Sequence, residues 1–193
     1  MSRYIVGITG ASGSIYGIRL AEELLKKGDE VHLIMTDNGR MVTAHETGYA
    51  ADTLTAHLKE YGGKLRSYDI NDLFAPVASG SFKVDGMIVV PCSMAALARI
   101  ATGISGNLLE RAADVCMKER RRLILVPRET PLNSIHLGNM LALSQAGAVI
   151  LPPMPAFYHG PQSISDVVDF IVGKILDNLG IENDLYKRWN GGL

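Results

Sequence analysis

The chain has 193 residues, 47% of them apolar, 20% charged and only 6% aromatic, a balance that excludes a disordered or fibrous protein. Nineteen Lys and Arg against 20 Asp and Glu give a formal net charge of -1, so no global basic field draws in DNA or RNA, and no nucleic-acid partner is expected. A chain this long buries roughly 70% of its unfolded surface around one core, so a single domain, 1–193, needs neither disulfide nor structural metal. Cys92 and Cys116 match no zinc spacing and read as free thiols of a reducing compartment. Met1-Ser2-Arg3 runs directly into an apolar segment, and no stretch approaches a membrane span, so a cytoplasmic protein without membrane contact is expected.

In chain order, the first strand is predicted at Tyr4–Ile8, followed by a helix on Ile15, Ile18, Ala21, Leu24 and Leu25 that stops at Gly28. Val31–Met35 is the next strand, and Asp37 is expected to cap a helix near Gly39–Ala44. The segment after it predicts a weak helix near Leu54–Glu60 and a short strand near Leu65–Tyr68. Met87–Val90 is a strand ending at Pro91-Cys92-Ser93-Met94-Ala95-Ala96, whose small residues open a helix. Leu108, Leu109, Ala112, Ala113, Cys116 and Met117 recur at helical spacing, Leu123–Val126 and Ala148–Leu151 read as strands, and Ile164–Leu179 is a helix behind Ser163 or Ser165 that ends at Gly180. Near-continuous apolar strands alternating with helices predict an α/β fold: an open parallel sheet, Rossmann-like or flavodoxin-like, with helices on both faces. The tail 181–193 carries the only Trp, Trp189, and is expected to dock on its own or a neighbouring subunit.

Ligands of such sheets bind beyond the carboxyl ends of the strands. Thr9-Gly10-Ala11-Ser12-Gly13-Ser14 opens a helix whose first amides favour an anion, so this loop is a candidate phosphate or flavin cradle. Its spacing is neither G-x-G-x-x-G nor a Walker A loop, and a ligand-free turn fits it equally well. The Ser93 segment is a second candidate nest; Cys92 has no identifiable companion base and reads as a small buried thiol. Arg128 and Glu129 sit between Pro127 and Pro131, which suits orientation of an anion. Arg111 and Lys118, seven residues apart on one helical face, can meet the same anion, and Lys118 to Arg122 reads as the solvated end of that helix. Phe157, Tyr158 and His159 among Pro152, Pro153, Pro155 and Pro161 form a stiff loop suited to wall an apolar ligand.

Taken together, Thr9-Gly10-Ala11-Ser12-Gly13, Glu46 in its Thr43–Thr47 context, Ala78-Ser79-Gly80-Ser81, Pro91-Cys92-Ser93, Asn107–Asp114, Lys118–Arg121, Val126–Glu129, Ser134–Leu137 and Phe157-Tyr158-His159 resemble the UbiX-type flavin prenyltransferases over nearly the whole chain. The resemblance implies transfer of a dimethylallyl group from dimethylallyl monophosphate to N5 and C6 of reduced FMN, without a metal. The product, prenylated FMN, would serve UbiD-type decarboxylases. It implies that Gly10, Ala11, Ser12, Thr36, Ser93, Met94, Ala95, Ala96, Arg111 and Arg128 hold FMN. It further implies that Ser79, Lys118, Tyr158, Lys174 and Trp189 meet the prenyl phosphate, and that Ser12, Glu46, Lys118 and Glu129 act in catalysis. The same resemblance implies a homo-oligomer, expected as a dodecamer, with active sites between subunits. A flavin-dependent decarboxylase of peptidyl-cysteine type is the competing enzyme reading; it requires a catalytic His, for which only His45 lies near. A non-catalytic flavin carrier is the third.

Overall fold

The computed structural model describes residues 1–189 and 191. Strands β1 (Arg3–Ile8), β2 (Glu30–Met35), β3 (Lys64–Tyr68), β4 (Gly86–Cys92), β5 (Arg122–Pro127) and β6 (Val149–Ile150) form one parallel sheet in the order β3-β2-β1-β4-β5-β6. Chain direction across the sheet reverses between β1 and β4, where Ile5 pairs with Met87 and Gly7 with Val89. That reversal opens a crevice beyond the carboxyl ends of these two strands. Every residue of β2 and β4 is buried, which is why both read as apolar runs without alternation. Edge strand β3 exposes Lys64, Arg66 and Ser67, so its signal in the sequence is weak. Of the expected Ala148–Leu151 strand, Val149 and Ile150 form β6, and the Leu151 amide continues the pairing by donating to the Leu125 carbonyl at 2.8 Å.

Helices α1 (Ser14–Lys26), α3 (Ala51–Lys59) and α7 (Ile164–Leu179) cover one face, packing Leu20, Leu24, Leu58, Ile171 and Ile175 on Val6, Ile8 and Leu33. Helices α4 (Met94–Ala101), α5 (Leu108–Lys118) and α6 (Ser134–Gln145) cover the other, with Leu97, Leu109, Cys116 and Met140 on Ile5, Ile34, Met87 and Val89. Helix α2 (Asp37–Thr47) leads from β2 and packs beside α1. Thr36, not Asp37, caps it: the Thr36 hydroxyl accepts the Gly39 amide at 3.0 Å, and Asp37 is the first helical residue. Ser163 caps α7 reciprocally with Asp166, and Gly180 ends it in the left-handed conformation. Helix α6 carries apolar residues around its circumference. It buries Met140 and Leu143 yet exposes Ile135, Leu137 and Leu141.

At the amino end of the sheet, His32 is fully buried. Its Nδ1 lies 2.7 Å from the Tyr68 hydroxyl, and its ring stacks on Tyr68 and meets Phe82 edge-on. Its Nε2 is 3.2 Å from Glu30, out of line for a hydrogen bond. The Glu30 carboxylate accepts from Arg3 Nε at 3.1 Å. Burial pulls the imidazole pKa down to about 4, against the upward influence of Glu30. In the tail, Tyr186 is buried and donates to Asp177 Oδ2 at 2.6 Å, while Arg188 reaches Asp177 Oδ1 at 2.7 Å. The Arg188 bond holds the Asp177 carboxyl at about 2. Trp189 lies edge-on to Tyr158, with centroids 5.8 Å apart. Asn190, Gly192 and Leu193 of the expected 181–193 tail lie outside the described residues.

Candidate active site

A single buried hydroxyl fixes the crevice. Thr9, one residue past β1, donates its Oγ1 proton to the Pro91 carbonyl at 2.8 Å and accepts the Ser93 amide at 2.7 Å, while its own amide donates to Pro91 at 3.2 Å. These bonds staple the end of β1 to the end of β4. Next to the staple, Gly10 passes so close to α2 that a Cβ there would lie 2.5 Å from that of Asn38, which only glycine allows without a shift of the loop.

The staple and this close approach bring the first turns of α2 and α4 to one cavity of about 560 Å³, lined by Thr9, Gly10, Thr36, Asp37, Asn38, Ile70, Asn71, Ser93, Ala95, Ala96, Arg99, Gly106, Asn107 and Glu110. The hydroxyls of Thr36 and Ser93 each accept a capping amide, from Gly39 and Ala96, and each keeps its own proton to donate. The amides of Met94 and Ala95 precede the first intrahelical bond, from Leu97 to the Ser93 carbonyl. Two helix N-termini with spare donors make a cradle for an anion. Of the residues expected to hold a flavin, Gly10, Thr36, Ser93, Ala95 and Ala96 line this cavity. The Met94 side chain and Ala11 are turned into the protein and buried, which leaves their backbones as the groups available to a ligand.

The N-terminus of α1, the first candidate cradle, is already filled. The Glu46 carboxylate, from the end of α2, accepts the amides of Gly13 at 3.0 Å and Ser14 at 3.0 Å. Gly13 adopts φ 104 to present its amide. Burial raises the Glu46 pKa, but hydrogen bonds from the Ser12 hydroxyl and the Gly13 and Ser14 amides outweigh it, and the carboxyl lies below its ordinary range. Glu46 is therefore an ionised acceptor at neutral pH, with Ser12 beside it. Arg128 Nε donates to the Ser12 carbonyl at 3.2 Å, so Ser12, Glu46 and Arg128 form one rim group. Glu129 is exposed next to it, its carboxylate accepting the Thr130 amide at 3.0 Å.

The residues expected around the prenyl phosphate do not meet within one chain. Ser79, Arg111 and Lys118 gather on the α5 side. Arg111 Nε donates to the Ala78 carbonyl at 3.1 Å and Nη1 to Asp114 at 2.8 Å, Ser79 bonds Ser81 at 2.9 Å, and Lys118 pairs with Glu119 beside Gly80. Arg111 thus stands with the phosphate group and does not line the flavin-side cavity where it was expected. Arg121, read as solvated, braces the same turn through the Gly80 and Phe82 carbonyls at 2.6 and 2.8 Å. Tyr158, Trp189 and Lys174 lie with α7, Tyr158 edge-on to Phe170 and Lys174 exposed. Because α5 and α7 cover opposite faces of the sheet, Lys118 and Lys174 of one chain cannot close on one phosphate.

Cys92 is fully buried, and burial pushes its thiol up to about 12, which removes it as a nucleophile. His45 is exposed in the last turn of α2 and does not line the cavity. Among the described residues no His, Cys, Asp and Glu cluster could hold a metal, and no helix is long and apolar enough to cross a membrane. Residues 1–176 match the Flavoprotein family model. The flavin prenyltransferase UbiX of Halalkalibacterium halodurans is 53% identical, the alignment covering 96% of this chain and 92% of the relative. The chain belongs to the UbiX family of flavin prenyltransferases. Among solved structures, AnUbiX (PadA1) in complex with FMN and dimethylallyl pyrophosphate superposes with a TM-score of 0.93 at 46% identity, covering 100% of this chain and 99% of that one. A dodecameric FMN-dependent UbiX-like decarboxylase from Escherichia coli O157:H7 superposes at 0.91 and 44% identity, covering 98% and 100%. These UbiX relatives span the sheet, both helical layers and the crevice between β1 and β4.

Proposed function

We propose that this chain transfers the dimethylallyl group of dimethylallyl monophosphate to N5 and C6 of reduced FMN, releasing phosphate and giving prenylated FMN for UbiD-type decarboxylases. The observation that carries the reading is the Ser12–Glu46 pair beside a cavity whose two helix N-termini suit the FMN phosphate. Bound reduced FMN supplies a nucleophilic N5 and the ring carbon C6 that closes the new ring. The phosphate end is held by the Thr36 and Ser93 hydroxyls and the amides of Met94 and Ala95, with Ala96 and Gly10 allowing close approach. Ser12 would stand at the flavin N5, where its hydroxyl would accept the N5 proton and pass its own to Glu46. Glu46, ionised by three donors, accepts the proton that Ser12 passes on. Arg128 fixes the Ser12 loop on the flavin side.

Lys118, Ser79 and Arg111 then meet the leaving phosphate from one chain, and Tyr158, Lys174 and Trp189 meet it from another, with Glu129 placed to move a proton at that junction. The split across the sheet supports this intersubunit arrangement, as does the exposed apolar face of α6. The assembly is a homo-oligomer, dodecameric like its Escherichia coli relative. The aromatic faces of Phe157, Tyr158 and Trp189 would stabilise allylic positive charge. Two buried free thiols suit a reducing cytoplasm. The test is anaerobic incubation with reduced FMN and dimethylallyl monophosphate, followed by mass spectrometry of the extracted flavin. A five-carbon addition is expected; unmodified flavin that binds tightly would sink the reading and leave a carrier.

A further inference from the structure

The cavity also holds a charge pair, Arg99 with Glu110, of which Glu110 falls in the Asn107–Asp114 motif without a role and Arg99 falls in no motif. Arg99 lies on the same face of α4 as Ala95 and Ala96, and Arg side chains on a helix lean back toward its N-terminus. It is the one Lys or Arg among the described residues lining the cavity. Its Nη1 donates to Glu110 Oε1 at 3.2 Å. Glu110 is only 3% exposed, and its carboxylate is pinned by the Gly106 amide at 2.8 Å and Asn107 Nδ2 at 2.8 Å. Asn107 in turn caps α5 by accepting the Glu110 amide at 3.0 Å.

An exposed surface ion pair leaves both partners loose. Here one partner is buried and held by two further donors, so Glu110 fixes where the guanidinium sits. A guanidinium has five N–H donors. The pair with Glu110 uses one, and Arg99 lines the same cavity as the first turns of α2 and α4. We infer that Arg99 binds the 5′-phosphate of FMN and that Glu110 is its positioning residue, so that this pair makes the cavity discriminate FMN from riboflavin. The inference rests on the FMN reading above.

The test compares binding of oxidised FMN and riboflavin, by quenching of flavin fluorescence, to the full-length wild-type protein and to Arg99→Gln, Arg99→Lys, Glu110→Gln and the Arg99→Gln/Glu110→Gln double variant. Loss of a charge-assisted contact to phosphate weakens binding roughly 10- to 100-fold. Arg99→Gln should show that loss for FMN with riboflavin unchanged, and Arg99→Lys should recover part of it. Glu110→Gln should lower FMN affinity less, and should add nothing when Arg99 is already replaced. Equal losses for the two flavins, or no loss for either, would overturn the inference and leave the FMN reading standing. A wild-type protein that binds neither flavin overturns both.

Discussion

The two ends of the sheet use carboxylates in opposite ways. At the amino end, Glu30 is enclosed by the charged Arg3 and Arg66 and the neutral His32 ring, groups that answer one another and leave little capacity for a ligand. At the carboxyl end, Glu46 occupies the backbone amides of Gly13 and Ser14, while Thr36, Ser93 and the α4 amides keep donors in reserve. A cluster satisfied within itself stabilises the fold; a cluster with donors to spare can bind a ligand. The difference lies in which groups remain unanswered.

The largest effect should come from the carboxyl end. Ser12→Ala and Glu46→Gln should each lower turnover by roughly 10²- to 10⁴-fold, as loss of a positioned proton-transfer group does, while FMN affinity changes by much less. Single-turnover kinetics beside flavin titration would separate the two, and matching losses would make these residues mere binders.

The amino end should respond to acid. His32 has a folded pKa of about 4, below its unfolded 6.5, so its contribution is intact above pH 6.5 and is lost as pH falls from there through 4. That loss amounts to roughly 3 kcal/mol, at about 1.4 kcal/mol per pKa unit. Urea melts at pH 7, 5 and 4 should show it, and His32→Gln should flatten that part of the profile. A wild-type profile no steeper than the variant's would mean that His32 is not held neutral.

Thr9→Val lies between the two ends in effect. It keeps the shape and removes both side-chain bonds of the staple, so it should cost about 1–3 kcal/mol and lower Tm by a few degrees. It should also loosen FMN binding, because the staple aligns Gly10 with Ser93; unaltered affinity would show that the two loops hold their positions separately. Asp177→Asn is expected to matter least to global stability, about 1 kcal/mol or less for a partly exposed pair. Faster proteolysis within the 181–189 segment is the measurement that checks it.

Buried parallel strands were readable because both faces of β1, β2, β4 and β5 demand apolar residues, and α7 because its cap residues bracket an apolar stripe. Helix α6 was not, because a helix apolar all round has no stripe to find. The β1 loop was readable as an anion site in general terms, but its real occupant, Glu46, is about 30 residues further on and arrives only through the packing of α2 against α1. Arg99 lies outside every motif, and Glu110 lies in the Asn107–Asp114 motif with nothing local to name its partner; only the juxtaposition of α4 with the start of α5 makes them a pair. The separation of Lys118 from Lys174 was likewise invisible, since nothing local says which face of the sheet a helix will cover.

Glu46 also bears on what this crevice turns away. In dinucleotide-binding relatives of this topology a pyrophosphate rests on the helix that follows β1. Here an acidic side chain from the protein itself sits on those amides, so a pyrophosphate bridge laid across the crevice would face a fixed negative charge. In the strand order that elsewhere accommodates NAD or FAD, the anion on the amides that follow β1 is here part of the chain itself.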